Sequence, residues 1–396
     1  MKRLLLTLSI IALSLAYVMA EPRMKVSLLT CSEGRNIYEL EGHSALRLQT
    51  ADGSDCIINW GVFDFNAPNF IYRFVKGETD YMVGEAPTEP FVDSYRREGR
   101  SVLEQTLRLD SLQTERLMNL IYNNFLPQNR VYRYNYVYDN CATRPLAMIE
   151  RAIGDTLTLA PPTVPTAERS TFRNAMRHFH SHYPWYQFGI DTALGSGIDT
   201  PISEREAAFA PLMLADMIRD ARLPSGERLV ESEHWLAGGP DAPSAAAAPT
   251  PLPLTPMSWS CVILGLALIV SVFQMRGKAV WARWFDTAWF TLTGLEGLVI
   301  TFLIFVSVHE ATSPNWLYLW LNPLCFIGAI TPWLKSGNRL EFCYQSVNFA
   351  LLIALGALFV AGVQSPNPAF IPLMSASGLR AISNIICRAR RPLHPA

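Results

Sequence analysis

Five apolar segments follow residue 257, and each odd-numbered one runs into a basic loop. They are residues 259–273, 285–308, 316–334, 342–363 and 370–387, the last being the weakest because Arg380 lies inside it. Arg276, Lys278 and Arg283 follow the first segment, Lys335 and Arg339 the third, and Arg388, Arg390 and Arg391 the fifth. The stretches 309–315 and 364–369 contain no Lys or Arg. Segments of this length and composition fit a bilayer, and cytoplasmic loops are the ones enriched in Lys and Arg. The pattern predicts five spans, a cytoplasmic C-terminus and an N-terminal half outside the cytoplasm. Trp259, Trp281, Trp284, Trp289, Trp316, Trp320 and Trp333 fall near span ends, as an aromatic belt requires.

The N-terminus agrees independently. Lys2 and Arg3 precede an apolar run, 4–17, and Val18-Met19-Ala20 offers a cleavage site. Residues 1–20 therefore read as a signal peptide. Charge is sparse, at 17% of residues against about 25% for soluble domains. It is also uneven, with nine Lys/Arg and four Asp/Glu from Trp259 onward against 24 and 30 before it. An acidic exported half without a basic stripe excludes nucleic acid as a partner.

Residues 21–160 have an α+β texture. Strands are expected at 25–30, 44–48, 56–63, 102–109 and 132–138, with a turn at Ala51-Asp52-Gly53-Ser54-Asp55. Asp110 caps a helix over 112–125, and Asn140 precedes another that ends near Gly154. Residues 161–237 read as a helical extension of that domain, with helices over 166–180 and 203–223 around an aromatic loop at 184–190. Residues 238–257, rich in Pro and Ala, form a linker, and 258–396 the membrane domain. Cys31, Cys56 and Cys141 lie in the exported α+β part; a Cys31–Cys56 bridge leaves Cys141 free.

The sharpest chemical feature is Tyr138-Asp139-Asn140-Cys141-Ala142-Thr143-Arg144, where a strand hands over to a helix. Helix amides at that point lower a thiol pKa and supply donors to an oxyanion. A structural cysteine at a helix start is the bland alternative. An imidazole partner is needed, and His43 stands rigidly at a strand start in Glu41-Gly42-His43-Ser44-Ala45-Leu46-Arg47. A third group would orient the ring: Asn59 is preferred, with Asp64 its rival. His178, His180 and His182 lack the carboxylates or thiols of a metal site, and no metal or cofactor is expected. Arg144, Asp64, Trp185, His309 and Glu310 are the candidate substrate contacts, the last three by their place near the outer surface of the bilayer. Glu296, inside the second span, needs either a partner or a function.

The His43 segment, Asn59-Trp60-Gly61-Val62-Phe63-Asp64-Phe65 and Asp139-Asn140-Cys141 resemble the exported domain of the bacteroidal lipoprotein N-acyltransferase family. So do Phe188-Gly189-Ile190-Asp191 through Leu194-Gly195, and Trp316-Leu317-Tyr318-Leu319-Trp320-Leu321-Asn322-Pro323 in the membrane part. Trp60 departs from the tyrosine expected beside that asparagine. The resemblance implies a circularly permuted papain-like (NlpC/P60-like) thiol domain, with Cys141 as nucleophile and His43 as its base. It implies a phospholipid acyl donor and, as acceptor, the N-terminal amine of a diacylglyceryl-cysteine lipoprotein. The rivals are a membrane-anchored cell-wall amidase or endopeptidase, a thiol phospholipase, and a non-enzymatic module in which Cys141 and His43 lie far apart.

Overall fold

The computed structural model describes residues 24–154, 157–242, 248–334 and 338–389. The expected signal peptide lies outside them, as do Lys335, Arg390 and Arg391. The chain forms two compact units. One takes Met1–Phe65, Asp80–Val164 and Ser203–Ala246; the other takes Asn66–Thr79, Pro165–Ile202 and Ala247–Ala396.

The first unit is α+β. Its described residues form a seven-stranded antiparallel sheet of β1 (Met24–Cys31), β2 (His43–Thr50), β3 (Asp55–Val62), β4 (Asp80–Pro87), β5 (Val102–Leu107), β6 (Val131–Arg133) and β7 (Val230–Ala237). The order across the sheet is β6-β4-β3-β2-β1-β5-β7. Period-two alternation divides the core between its faces. Leu28, Leu46, Leu48, Ile58 and Trp60 meet Leu117, Ile121, Leu146, Ile149, Leu214 and Ile218 from the helices Ser111–Phe125, Thr143–Ile153 and Pro211–Arg219. Leu29, Cys31, Ala45, Ile57 and Val102 pack with Val92 of the Thr88–Arg97 helix. Trp60 is therefore an inward core residue, and its indole donates to Asn124 Oδ1 at 2.6 Å.

Several expectations are corrected. The strand predicted over 132–138 stops at Arg133, because Asn135 Oδ1 accepts the amides of Val137 and Tyr138 and turns the chain. The helix expected over 203–223 divides at Pro211 into Glu204–Ala207 and Pro211–Arg219. The aromatic loop is a helix, Pro184–Ala193, with its proline at the first helical position, where no amide is lost. The stretch 161–237 is not one extension: 165–202 joins the second unit, while Ser203 onward stays with the sheet and supplies β7.

Cys31 and Cys56 are both free. Cys31 pairs with His43 and Cys56 with Leu48, two strands and five residues apart, on the order of 19 Å, well beyond disulfide reach.

The second unit is helical. Pro256–Met275, Ala279–Phe305, Arg339–Val360 and Phe370–Ala389 are long and apolar enough to cross a membrane. The expected third span is instead broken into Trp316–Leu319, Cys325–Ile330 and Thr331–Trp333. Pro323 withholds an amide there, and Asn322 satisfies the interruption, donating to Tyr318 O and accepting from Leu324 N. One end of this segment meets the 364–367 loop through Trp316 N–H and Gln364 Oε1, at 2.8 Å. Its other end meets the start of Ala279–Phe305, where Trp333 donates to Thr287 Oγ1 at 2.7 Å.

Arg380 is fully buried rather than misplaced. It donates two hydrogen bonds to Asp286, at 2.7 and 2.8 Å, and one each to Ser271 and Gln274, both at 2.8 Å. Asn384 also donates to Asp286, at 2.9 Å. Trp289 and Trp320 are not part of a belt, since both are buried with their indoles on Ser377 Oγ. Glu296 lies on an exposed face of its helix and has no hydrogen bond or ion pair among the described residues.

Residues 165–202 are fastened to the loops at one end of these helices. Arg173, fully buried, pairs with Asp191 and Asp199. Arg177 reaches Ser365 and Pro366, Asn367 donates to Asp191, and Gly195 N–H donates to Ala311 O.

Candidate active site

Cys141 sits two residues before the Thr143–Ile153 helix. Asn140 fixes it there. Its Oδ1 accepts the amides of Ala142 and Thr143 at 2.8 and 2.9 Å, and its Nδ2 donates to the carbonyls of Tyr136 and Phe209 at 2.7 and 2.9 Å. Every polar valence of this buried side chain is used for holding the turn.

The other half comes from neighbouring strands. Ala45 opposes Asn59 across β2 and β3, so His43, two residues earlier on the same face, is diagonal to Asn59. His43 Nε2 lies 2.6 Å from Asn59 Oδ1. Since the amide oxygen accepts, Nε2 carries the hydrogen, leaving Nδ1 for the Cys141 thiol, with which the ring is hydrogen-bonded. Gly42 has φ +80°, and a Cβ there would stand 2.5 Å from Cys31 O, so only glycine leads the chain into His43 this way. Gly61 has φ +88° at the bulge between Trp60 and Val62; a Cβ there would lie 3.4 Å from the Tyr134 ring and 4.0 Å from Cys141 Cβ.

The electrostatics separate the three thiols of this unit. Burial drives Cys31 up to about 12, and burial with Glu85 nearby drives Cys56 up to about 11. Burial acts on Cys141 in the same direction, but the His43 charge and hydrogen bond, the Ser44 amide and the Tyr134 hydroxyl outweigh it and bring the thiol below its ordinary value. His43 shows the reciprocal effect: burial opposes its charge, and Cys141 and Asn59 nonetheless raise it. Such an arrangement stabilises a thiolate–imidazolium pair.

Tyr134 was not singled out in the sequence, because it sits in a tyrosine-rich run that reads as a strand. Its ring stacks on Tyr81 with centroids 4.5 Å apart, and burial keeps its phenol protonated. Glu41 was missed too. It is 8% exposed and hydrogen-bonded to Tyr136, and burial raises its carboxyl from 4.5 to about 7. The folded state thus binds the proton more tightly than the unfolded chain. Its stability falls as pH rises from about 4.5 to 7 and stays lower above that window. Glu41→Gln should be more stable than the parent by about 3 kcal/mol at pH 8, with no difference near pH 4, read from thermal unfolding at both values.

The remaining candidate residues occupy other places. Asp64 is exposed beyond the end of β3, and the residue on the His43 ring is Asn59. Arg144 grips Asp139 through two bonds of 2.5 and 2.7 Å and lies over the Tyr132 ring at 3.3 Å from its centroid, so it braces the turn before Cys141. Trp185, His309 and Glu310 belong to the second unit. The Trp185 indole donates to Leu254 O at 2.7 Å, His309 Nε2 donates to Phe74 O at 2.8 Å, and Glu310 is exposed. His180 is buried against Gln187, and burial lowers it to about 4. His178 meets Glu168 at 2.7 Å.

Neither a curated protein nor a solved structure matches the chain. Two family models do: the Lnb N-terminal periplasmic domain over residues 19–175, and the Lnb transmembrane domain over residues 248–392. The first contains His43, Asn59 and Cys141, and the second contains all four long apolar helices up to Ala389. With both domains present in order across well over half of its length, the chain belongs to the Lnb family, the bacteroidal lipoprotein N-acyltransferases.

Proposed function

We propose that the chain moves an acyl chain from a membrane phospholipid to the N-terminal amine of a diacylglyceryl-cysteine lipoprotein, through a thioester on Cys141. The observation that carries this reading is the Cys141–His43–Asn59 array, with its thiol pKa held down against burial. In the first half, the thiolate attacks the ester carbonyl. The C–O bond of the ester breaks, and His43 gives its proton to the departing glycerol oxygen, releasing lysophospholipid. In the second half, the neutral amine attacks the thioester. An amide bond forms, the C–S bond breaks, and His43 takes the amine proton and restores the thiol pair. Asn59 holds the imidazole in the tautomer both steps use.

The buried Tyr134 hydroxyl, already on the sulfur, is a side-chain donor that can serve a tetrahedral oxyanion formed there. Tyr134→Phe should lower turnover by about 10²-fold. The thiol also loses a bond that lowers its pKa, so the midpoint of Cys141 alkylation by iodoacetamide should move to higher pH.

A papain-like thiol domain suits this arrangement of a Cys just ahead of a helix and a strand-borne His. Five crossings are supported by the broken segment between Trp316 and Trp333, whose ends pair with residues at opposite ends of the long helices. In this reading Gln274, Asp286, Glu341 and Arg388 lie on the cytoplasmic side and 364–367 on the periplasmic side, in keeping with the basic loops.

The test is to place the purified chain in phospholipid with a diacylated lipopeptide and to follow intact mass. One added acyl chain on the amine, with matching lysophospholipid, is the expected result. Free fatty acid with no amide would identify a phospholipase. No lipid product from folded protein would turn attention to a cell-wall substrate.

A further inference from the structure

The segment between β3 and β4 contains a short helix, Phe70–Lys76, that buries none of its residues. Ile71, Tyr72 and Phe74 are 78%, 53% and 48% exposed. An apolar helix left bare in water is unfavourable, and nothing in its own strand-to-strand connection requires one.

What holds the helix identifies its surroundings. Ser307 Oγ donates to Val75 O at 2.9 Å, Val308 N–H to Lys76 O at 2.9 Å, and His309 Nε2 to Phe74 O at 2.8 Å. The Tyr72 ring meets Phe302 edge-on at 6.0 Å. These four partners are the last turn of the Ala279–Phe305 helix and the residues just after it. That helix end is itself bare and apolar, with Phe305, Val306 and Val308 exposed. The surface of Ile71, Tyr72 and Phe74 therefore continues the lipid-facing surface of a spanning helix. Arg73 bonds Glu78 O and Lys76 pairs with Glu78, so basic groups flank the apolar ones, as they do in helices lying at a bilayer interface.

We propose that Phe70–Lys76 is a membrane-interface anchor whose Ile71, Tyr72 and Phe74 lie among the acyl chains of the periplasmic-side leaflet, pinned to the end of the second spanning helix through His309. The side follows from the helix lying inside the stretch matched as periplasmic domain. The occupant is phospholipid, because these exposed side chains adjoin, through Tyr72 and Phe302, the exposed apolar end of a spanning helix. The anchor rests on the membrane placement of the chain and not on the acyl-transfer reading, so a failed transfer assay leaves it standing.

The experiment places the photo-crosslinker p-benzoylphenylalanine at position 71 of the full chain in nanodiscs of phosphatidylethanolamine and phosphatidylglycerol. The control carries it at position 112, an exposed leucine at the start of the Ser111–Phe125 helix. After irradiation, mass spectrometry should find phospholipid adduct at position 71 at least about tenfold above position 112. Equal adduct at the two positions would overturn the proposal, as would crosslinks from position 71 that run only to a second copy of the chain.

Discussion

Cys141→Ala should abolish acyl transfer, with a loss of about 10⁴-fold or more and no lysophospholipid released. The other two thiols of the sheet-bearing unit cannot take over: Cys31 and Cys56 are driven to about 12 and 11, so neither is ionised near neutral pH. His43→Ala should cost nearly as much, and the double variant little more than either alone, because nucleophile and base act as one unit. Asn59→Ala should be milder, at about 10²-fold, since the ring keeps its place on β2 and loses only the group that fixes its tautomer. Asp64→Ala should leave the rate within about twofold. Lysophospholipid release and amine acylation, measured separately in a single turnover, check all four.

The second large effect belongs to stability. Arg380→Ala should cost about 3–5 kcal/mol, because it strands the buried Asp286 carboxylate between helices, and Asp286→Ala should cost as much by stranding the guanidinium. Folded protein recovered by size exclusion after mild heating should fall sharply for both. The double variant Asp286→Leu with Arg380→Met removes both charges and keeps volume, so it should recover most of the loss. A double variant as unstable as the single ones would mean that the bonds to Ser271, Gln274 and Asn384, and not the ion pair, carry the effect.

What the sequence disclosed follows local rules. β1, β2, β3 and β5 alternate or run apolar, and the Ser111–Phe125 helix announces itself with Asp110 and Gln113, which form a reciprocal cap. Asn140 and Gly154 mark the ends of the helix that follows Cys141. β4 was overlooked because it is half exposed and interrupted by Gly84, and β7 because its centre is charged and faces solvent at the sheet edge. The site was legible only as residue types. That His43 bonds Asn59 and not Asp64 depends on the β2–β3 register, which fixes which residues share a face. Tyr134 and Glu41 came to notice only once burial and neighbours were known. In the membrane part, hydropathy located every apolar segment. It did not show that Asn322-Pro323 breaks one of them, or that Arg380 has Asp286 waiting for it.

The way the chain is shared between its units sets an order of assembly. It passes from one to the other after residues 65, 79, 164, 202 and 246. The stretches 66–79 and 165–202 are translated before any spanning helix exists, yet their bonding partners include Ser307, Val308, His309, Ala311, Ser365, Pro366 and Asn367. These bonds can form only once synthesis has reached residues 307–367. Cutting the gene at the proline-rich linker would leave both segments without these partners.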